Sequence, residues 1–155
     1  MKFSLRDKWV LITGASSGFG AAAARAFGAE GAKLLLGARR MDRLKEVAAA
    51  AQQAGARVAL FHQLDVSRTA SVETFIAWAR QQIHDAEGDD RQLHVLINNA
   101  GGAHGLDSVA DGMDEDWETM LQTNVLGLLR VTRAALPLLP HHAGASILNI
   151  GSLAG

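Results

Sequence analysis

The chain has no cysteine, no tyrosine, only two prolines in 155 residues and a formal net charge of -1. Without cysteine there is no disulfide and no thiolate-ligated metal. That usage fits a reducing cytoplasm, and no metal site is assigned. Near-zero net charge supplies no electrostatic footprint for nucleic acid or an anionic membrane surface, so neither is expected as a partner. No unbroken apolar run is long enough to span a bilayer, and Met1-Lys2-Phe3-Ser4-Leu5-Arg6-Asp7 lacks the apolar core of a signal peptide. What the chain does have is apolar content. At 48% hydrophobic residues it can bury a sizeable core in one domain spanning residues 1–155.

Strand-like and helix-like patterns alternate. Lys8 to Thr13 reads as a first buried strand, with Lys33 to Gly37, Arg57 to Phe61, Leu93 to Ile97 and Ala145 to Ile150 as four more. The first helix runs from about Gly18 to Glu30, with Gly31 as its C-cap. In the second, Leu44, Val47, Ala48 and Ala51 fall at i, i+3, i+4 and i+7, and Gly55 stops it. Ser67 is placed to cap a third, whose inner stripe is Val72, Phe75, Ile76, Ala79 and Ile83. The polar stretch Asp85 to Gln92 follows as a surface loop. A long helix starts near Asp114 and carries Trp117, Met120, Leu121, Asn124, Val125, Leu128 and Leu129 on one face, with Pro137 and Pro140 marking its end. Near-continuous apolar strands between amphipathic helices imply an α/β fold with a parallel sheet covered on both faces. Right-handed crossovers make that sheet doubly wound, with ligands at the carboxyl ends of its strands.

One turn stands out. Trp9-Val10-Leu11-Ile12 leads into Thr13-Gly14-Ala15-Ser16-Ser17-Gly18-Phe19-Gly20 and then an alanine-rich helix. Strand, glycine turn and helix in that order are what a pyrophosphate cradle needs. Gly14 permits a sharp turn, Gly18 lets backbone approach phosphates, and Gly20 lets the helix lie close on its strand. The helix's free N–H groups and positive dipole end then face the anion. A P-loop is disfavoured, because no lysine and hydroxyl residue follow Gly18-Phe19-Gly20. A methyltransferase stays open on the turn alone.

Together with Asn98-Asn99-Ala100-Gly101 after the fourth strand, Asn124 in the long helix and Ser152 after the fifth strand, this turn resembles the classical short-chain dehydrogenase/reductases. The resemblance runs from about Lys8 to the last residue. It implies a three-layer Rossmann-type sheet of about five strands in order 3-2-1-4-5, without the family's later strands, and a nicotinamide cofactor acting on an alcohol or carbonyl carbon. In the family Ser16, Ser17 and Phe19 belong to the cofactor turn, and the position of Asp65, next to Val66, hydrogen-bonds the adenine amino group. Beside the glycine turn, the side-chain amides of Asn98 and Asn99 can satisfy loose backbone groups and wall the cofactor cleft, with Ala100 and Gly101. Asn124 shapes its helix and holds a water in a proton relay, and the Ser152 hydroxyl hydrogen-bonds the substrate oxygen. Plainer readings stand beside these: Asp65 and Asn98 to Gly101 as turn residues, Asn124 as a buried amide bridging to backbone, Ser152 as turn chemistry. His94 stands where the family often has aspartate and reads as structural.

Charge bears on the choice of cofactor. A free ribose 2′-hydroxyl is usually held by an acid after the second strand, and a 2′-phosphate by arginine. Here the strand leads into Gly37-Ala38-Arg39-Arg40, and Asp42 is better placed as a helix cap. Arg39 resembles the family's phosphate-binding arginine and Arg40 could assist, so NADP is favoured over NAD. The family's general acid is a tyrosine with a lysine four residues later, expected shortly beyond Ser152, yet the chain has no tyrosine. The expectation is therefore the cofactor-binding part of an NADP-dependent oxidoreductase, truncated at its C-terminus and inactive alone. A non-catalytic nucleotide-binding module or inactive fragment is the alternative. An exposed fifth-strand edge would make the chain a homo-oligomer, strand-swapped or marginally stable.

Overall fold

The computed structural model describes residues 4–87, 92–105, 107–140 and 144–152. Five parallel strands form one sheet: β1 Trp9–Thr13, β2 Lys33–Ala38, β3 Val58–Gln63, β4 Val95–Asn98 and β5 Ser146–Asn149, in the order β3-β2-β1-β4-β5. The register pairs Leu11 with Leu35 and Leu96, so the centre of the sheet is aliphatic. Both faces of the central strands are covered, and β1 is buried along its whole length, as continuous apolar runs require. Alternation splits these residues between two cores. Leu11, Leu35 and Leu96 face one that also holds Phe75, Ile76 and Val131; Val10, Ile12, Leu34 and Leu36 face the other, with Ala24, Leu44 and Ala51.

The helices that cover the sheet are α1 Gly18–Ala29, α2 Met41–Ala54 and α3 Thr69–Glu87. Their buried stripes are those the periodicity predicts: Leu44, Val47, Ala48 and Ala51 on α2, and Val72, Phe75, Ile76, Ala79 and Ile83 on α3. Gly55 is the C-cap of α2, and Gly31 follows α1 with φ +76°. Three local expectations are corrected. α3 continues through Asp85 to Glu87, where Lys33 donates to the Glu87 carboxylate and holds its pKa below the usual range; Asp89, Asp90 and Arg91 of the expected loop lie outside the described residues. Ser67 does not free its hydroxyl for capping, because Oγ donates to Asp65 Oδ1 at 2.6 Å. Asp42 lies within the first turn of α2, and Arg40 is the N-cap residue.

The long helix is not continuous α-helix. α4 Asp114–Met120 passes through a π-helical stretch, Leu121–Gly127, into α5 Leu128–Ala135, and a 3-10 turn at Leu136–Leu138 carries Pro137. Its expected inner face is largely the outer one. Leu121, Val125 and Leu129 are about half exposed, at 56%, 48% and 56%, and Asn124 is exposed, whereas Gly127, Val131, Ala135 and Leu138 are buried. The apolar side of this helix is broad beside the polar arc of Glu118, Thr119, Gln122, Thr123, Arg130 and Arg133; the part that packs inward is that of Gly127, Val131 and Ala135, against the sheet and α3. Replacing Val131 with alanine should cost about 1–3 kcal/mol, and replacing Leu129 no more than about 0.5 kcal/mol. Urea unfolding of the two variants checks this assignment of faces, and the reverse ranking would refute it.

Candidate active site

β1 ends at Thr13, whose side chain is 2% exposed. Its Oγ1 accepts the backbone N–H groups of Asn99 and Ala100, both at 3.0 Å, and lies 3.4 Å from the Ile97 carbonyl, to which it donates. Asn99 returns the connection: Nδ2 donates to the carbonyls of Thr13 and Gly14, both at 3.1 Å. The turn after β1 and the turn after β4 are thus one hydrogen-bonded unit. Two glycines permit it. Gly14 has φ +64°, and a Cβ there would lie 2.8 Å from Ala100 Cα; a Cβ on Gly20 would lie 2.4 Å from the Gly14 carbonyl oxygen and 2.5 Å from Asn99 Nδ2.

That unit places the start of α1 over the carboxyl end of the sheet. The N-cap Ser17 is extended and makes no side-chain cap, and the first turn of α1 holds no acid. The positive end of a 12-residue helix is therefore uncompensated. Space is open beside Gly18, and Phe19 stands 80% exposed. Arg40, at the end of β2, donates through Nη2 to Ser16 Oγ at 3.3 Å and Ser17 Oγ at 2.9 Å. Arg39 is exposed and faces an open cleft of about 450 Å³, shared with Ser67, Glu115, Glu118, Thr119 and Thr123.

The other expected residues divide between this end of the sheet and its scaffold. Asp65 Oδ1 accepts from Ser67 N–H at 3.0 Å as well as from its hydroxyl, and Asp65 N–H donates to Ser71 Oγ, so the loop after β3 is held from both sides; Val66 is buried beneath it. Asn98 turns into the scaffold, and its Nδ2 donates to Thr132 Oγ1 on α5 and Asn149 Oδ1 on β5, both at 2.9 Å. Asn124, in the π-helical stretch, accepts from Gly102 N–H at 3.0 Å and donates to the Gly102 carbonyl at 2.9 Å. A Cβ on Gly101 would lie 2.8 Å from its Oδ1. A π-helical stretch is a frequent mark of functional sites. Here it presents an exposed amide to the loop after β4, not a buried one to the core. Ser152 is exposed just beyond β5, at the same end of the sheet as Asn98 to Gly101.

His94 is structural, as expected: its Nδ1 accepts the Trp9 N–H at 3.3 Å before β4 begins, at the end of the sheet away from the glycine turn. His62 packs its ring 5.2 Å from Trp78. His141 and His142 lie outside the described residues. The hydroxyls of Thr13 and Thr132 were missed as contributors, whereas the Asn99 amide satisfies loose backbone carbonyls beside the glycine turn, as expected.

With this arrangement in view, residues 8–155 match the family described as short chain dehydrogenase. The chain belongs to the short-chain dehydrogenase family. It is 42% identical over 146 residues to the NADP-dependent 3-hydroxy acid dehydrogenase YdfG of Salmonella typhi, covering 94% of this chain and 54% of that protein. Among solved structures, an alcohol dehydrogenase from the archaeon Thermococcus sibiricus complexed with 5-hydroxy-NADP superposes with a TM-score of 0.80 at 34% identity, over 93% of this chain and 57% of that one. An NADH-dependent reductase A1-R' complexed with NAD gives a TM-score of 0.83 at 25% identity, over 96% and 61%. The chain spans about half the length of the curated short-chain dehydrogenases it matches. The Thr13 linkage gives a direct test of the cradle. Thr13→Val removes the acceptor of two backbone N–H groups and should cost about 2–4 kcal/mol, while Thr13→Ser should stay within about 1 kcal/mol of wild type. Equal losses in denaturant unfolding would mean that the methyl group, not the hydroxyl, matters.

Proposed function

We propose that this chain carries the cofactor-binding part of an NADP-dependent oxidoreductase that transfers hydride between nicotinamide and a small alcohol or carbonyl substrate. The observation that supports it most is the uncapped start of α1, held over the sheet by Thr13 and Asn99 with Arg40 beside it. This is a positive, backbone-rich surface with room beside Gly18 for a phosphate. Relatives named as NADP-dependent dehydrogenases agree with it; the resemblance to an NADH-dependent reductase keeps NAD as the secondary cofactor.

In this reading Gly14, Ser16, Ser17, Gly18, Phe19 and Gly20 cradle the pyrophosphate. Arg39 holds the 2′-phosphate with help from Arg40, and Asp65 and Val66 border the adenine. Asn98, Ala100 and Gly101 shape the wall next to the ribose, Asn98 by fixing the carboxyl end of β4. A bound nicotinamide would supply the hydride chemistry at this site. The Ser152 hydroxyl hydrogen-bonds the substrate oxygen and steadies charge on it as the carbonyl and alcohol interconvert. Asn124 holds the loop after β4 and orients a water for proton transfer. The family's proton donor is a tyrosine, and these 155 residues hold none; the proposal assigns to them the dinucleotide and the positioning of the substrate oxygen. The cysteine-free composition suits a cytoplasmic setting.

Self-association is proposed through the exposed apolar face of α4 to α5 and through β5, whose Ile147 and Leu148 are about 40% exposed at the sheet edge. Sedimentation should show dimers or larger species at micromolar concentration; a monomer throughout would reject it. For the cofactor, calorimetry should show NADPH affinity falling about tenfold to a hundredfold in an Arg39→Ala/Arg40→Ala variant, with NADH affinity little changed. An equal loss for both dinucleotides would remove the 2′-phosphate role, and no binding of either by wild type would remove the proposal.

A further inference from the structure

The two arginines after β2 are not equivalent. Arg40 is tied to the glycine turn through Ser16 and Ser17. Arg39 lines the open cleft together with Glu115 and Glu118 of α4. The two glutamates are three residues apart, which puts them on one face of the helix, and both are exposed. Among the described residues no ion pair joins either of them to Arg39. Their charge is therefore not neutralised by the one cation that shares their cleft.

We infer that Glu115 and Glu118 are specificity-determining residues that limit the preference for NADPH over NADH. The inference rests on the dinucleotide reading above. The two cofactors differ in this region by one group, a dianionic phosphate in place of a neutral hydroxyl. Arg39 favours the phosphate, and two carboxylates lining the same open cleft oppose it. A neutral ribose hydroxyl is indifferent to their charge. The balance leaves phosphate recognition real but moderate, so both dinucleotides remain usable. Because the groups act through solvent, the effect weakens as salt rises.

The test is calorimetric titration of wild type, Glu115→Gln/Glu118→Gln and Glu118→Lys with NADPH and with NADH at low ionic strength. Both positions are exposed, so the substitutions leave the core intact. Neutralising both carboxylates should tighten NADPH about threefold to tenfold while NADH stays within about twofold, and Glu118→Lys should move NADPH in the same direction. If wild type binds NADPH but neither variant changes the NADPH-to-NADH ratio, this inference fails and the cofactor reading stands. Tightening of both dinucleotides together fails it in the same way. If wild type binds neither, the cofactor reading fails and takes this inference with it.

Discussion

The hydroxyl of Thr13 is the constraint on which the site depends. It is a buried polar atom at the end of a buried strand, where an unpartnered group would cost a few kcal/mol, and it is satisfied by accepting two backbone N–H groups from the turn after β4. Those bonds, with the reciprocal pair from Asn99, fix two loops against each other before any ligand is present. The glycines follow from that closeness. Gly14 and Gly20 lack side chains because the Ala100 backbone and the Asn99 amide occupy the space. What results is a helix start whose N–H groups are held in place and left open at the carboxyl end of a parallel sheet.

A second set of polar contacts transmits order outward from this unit. Asn98 joins β4 to β5 and α5, Asn124 joins the π-helical stretch to the loop at Gly102, and Asp65 closes the loop after β3 on Ser67 and Ser71. Each fixes one loop at the same end of the sheet. These contacts hold the loops at that end of the sheet against the strands and helices that carry them. The amino end of the sheet carries different contacts, the Lys33–Glu87 pair and the His94–Trp9 bond.

Much of this was legible in the sequence where one signal dominated. Leu34-Leu35-Leu36 could only be a buried strand, and the α3 stripe from Val72 to Ile83 has a single apolar side. The glycine turn announced itself by its place between a strand and a helix. The reading failed where two signals competed. Along residues 117–135 the apolar side is broad, and its large side chains suggested a buried face that packing gave to Gly127, Val131 and Ala135. Ser67 resembled a helix cap, but the Asp65 carboxylate two residues earlier is the nearer partner. Asn124 was expected to be buried because it sits among those same large side chains. The Asn98-Asn99 pair was legible as amides that satisfy backbone beside the glycine turn, which Asn99 does, while Asn98 turns to Thr132 and Asn149 instead.

The most direct measurement is an amide-resolved NMR titration with NADPH. The account predicts that the largest shifts fall on the N–H groups of Ser16 to Gly20 and of Asn99 to Gly102, saturating together as one site. Saturable shifts confined to another part of the sheet, or none at millimolar NADPH, would contradict it.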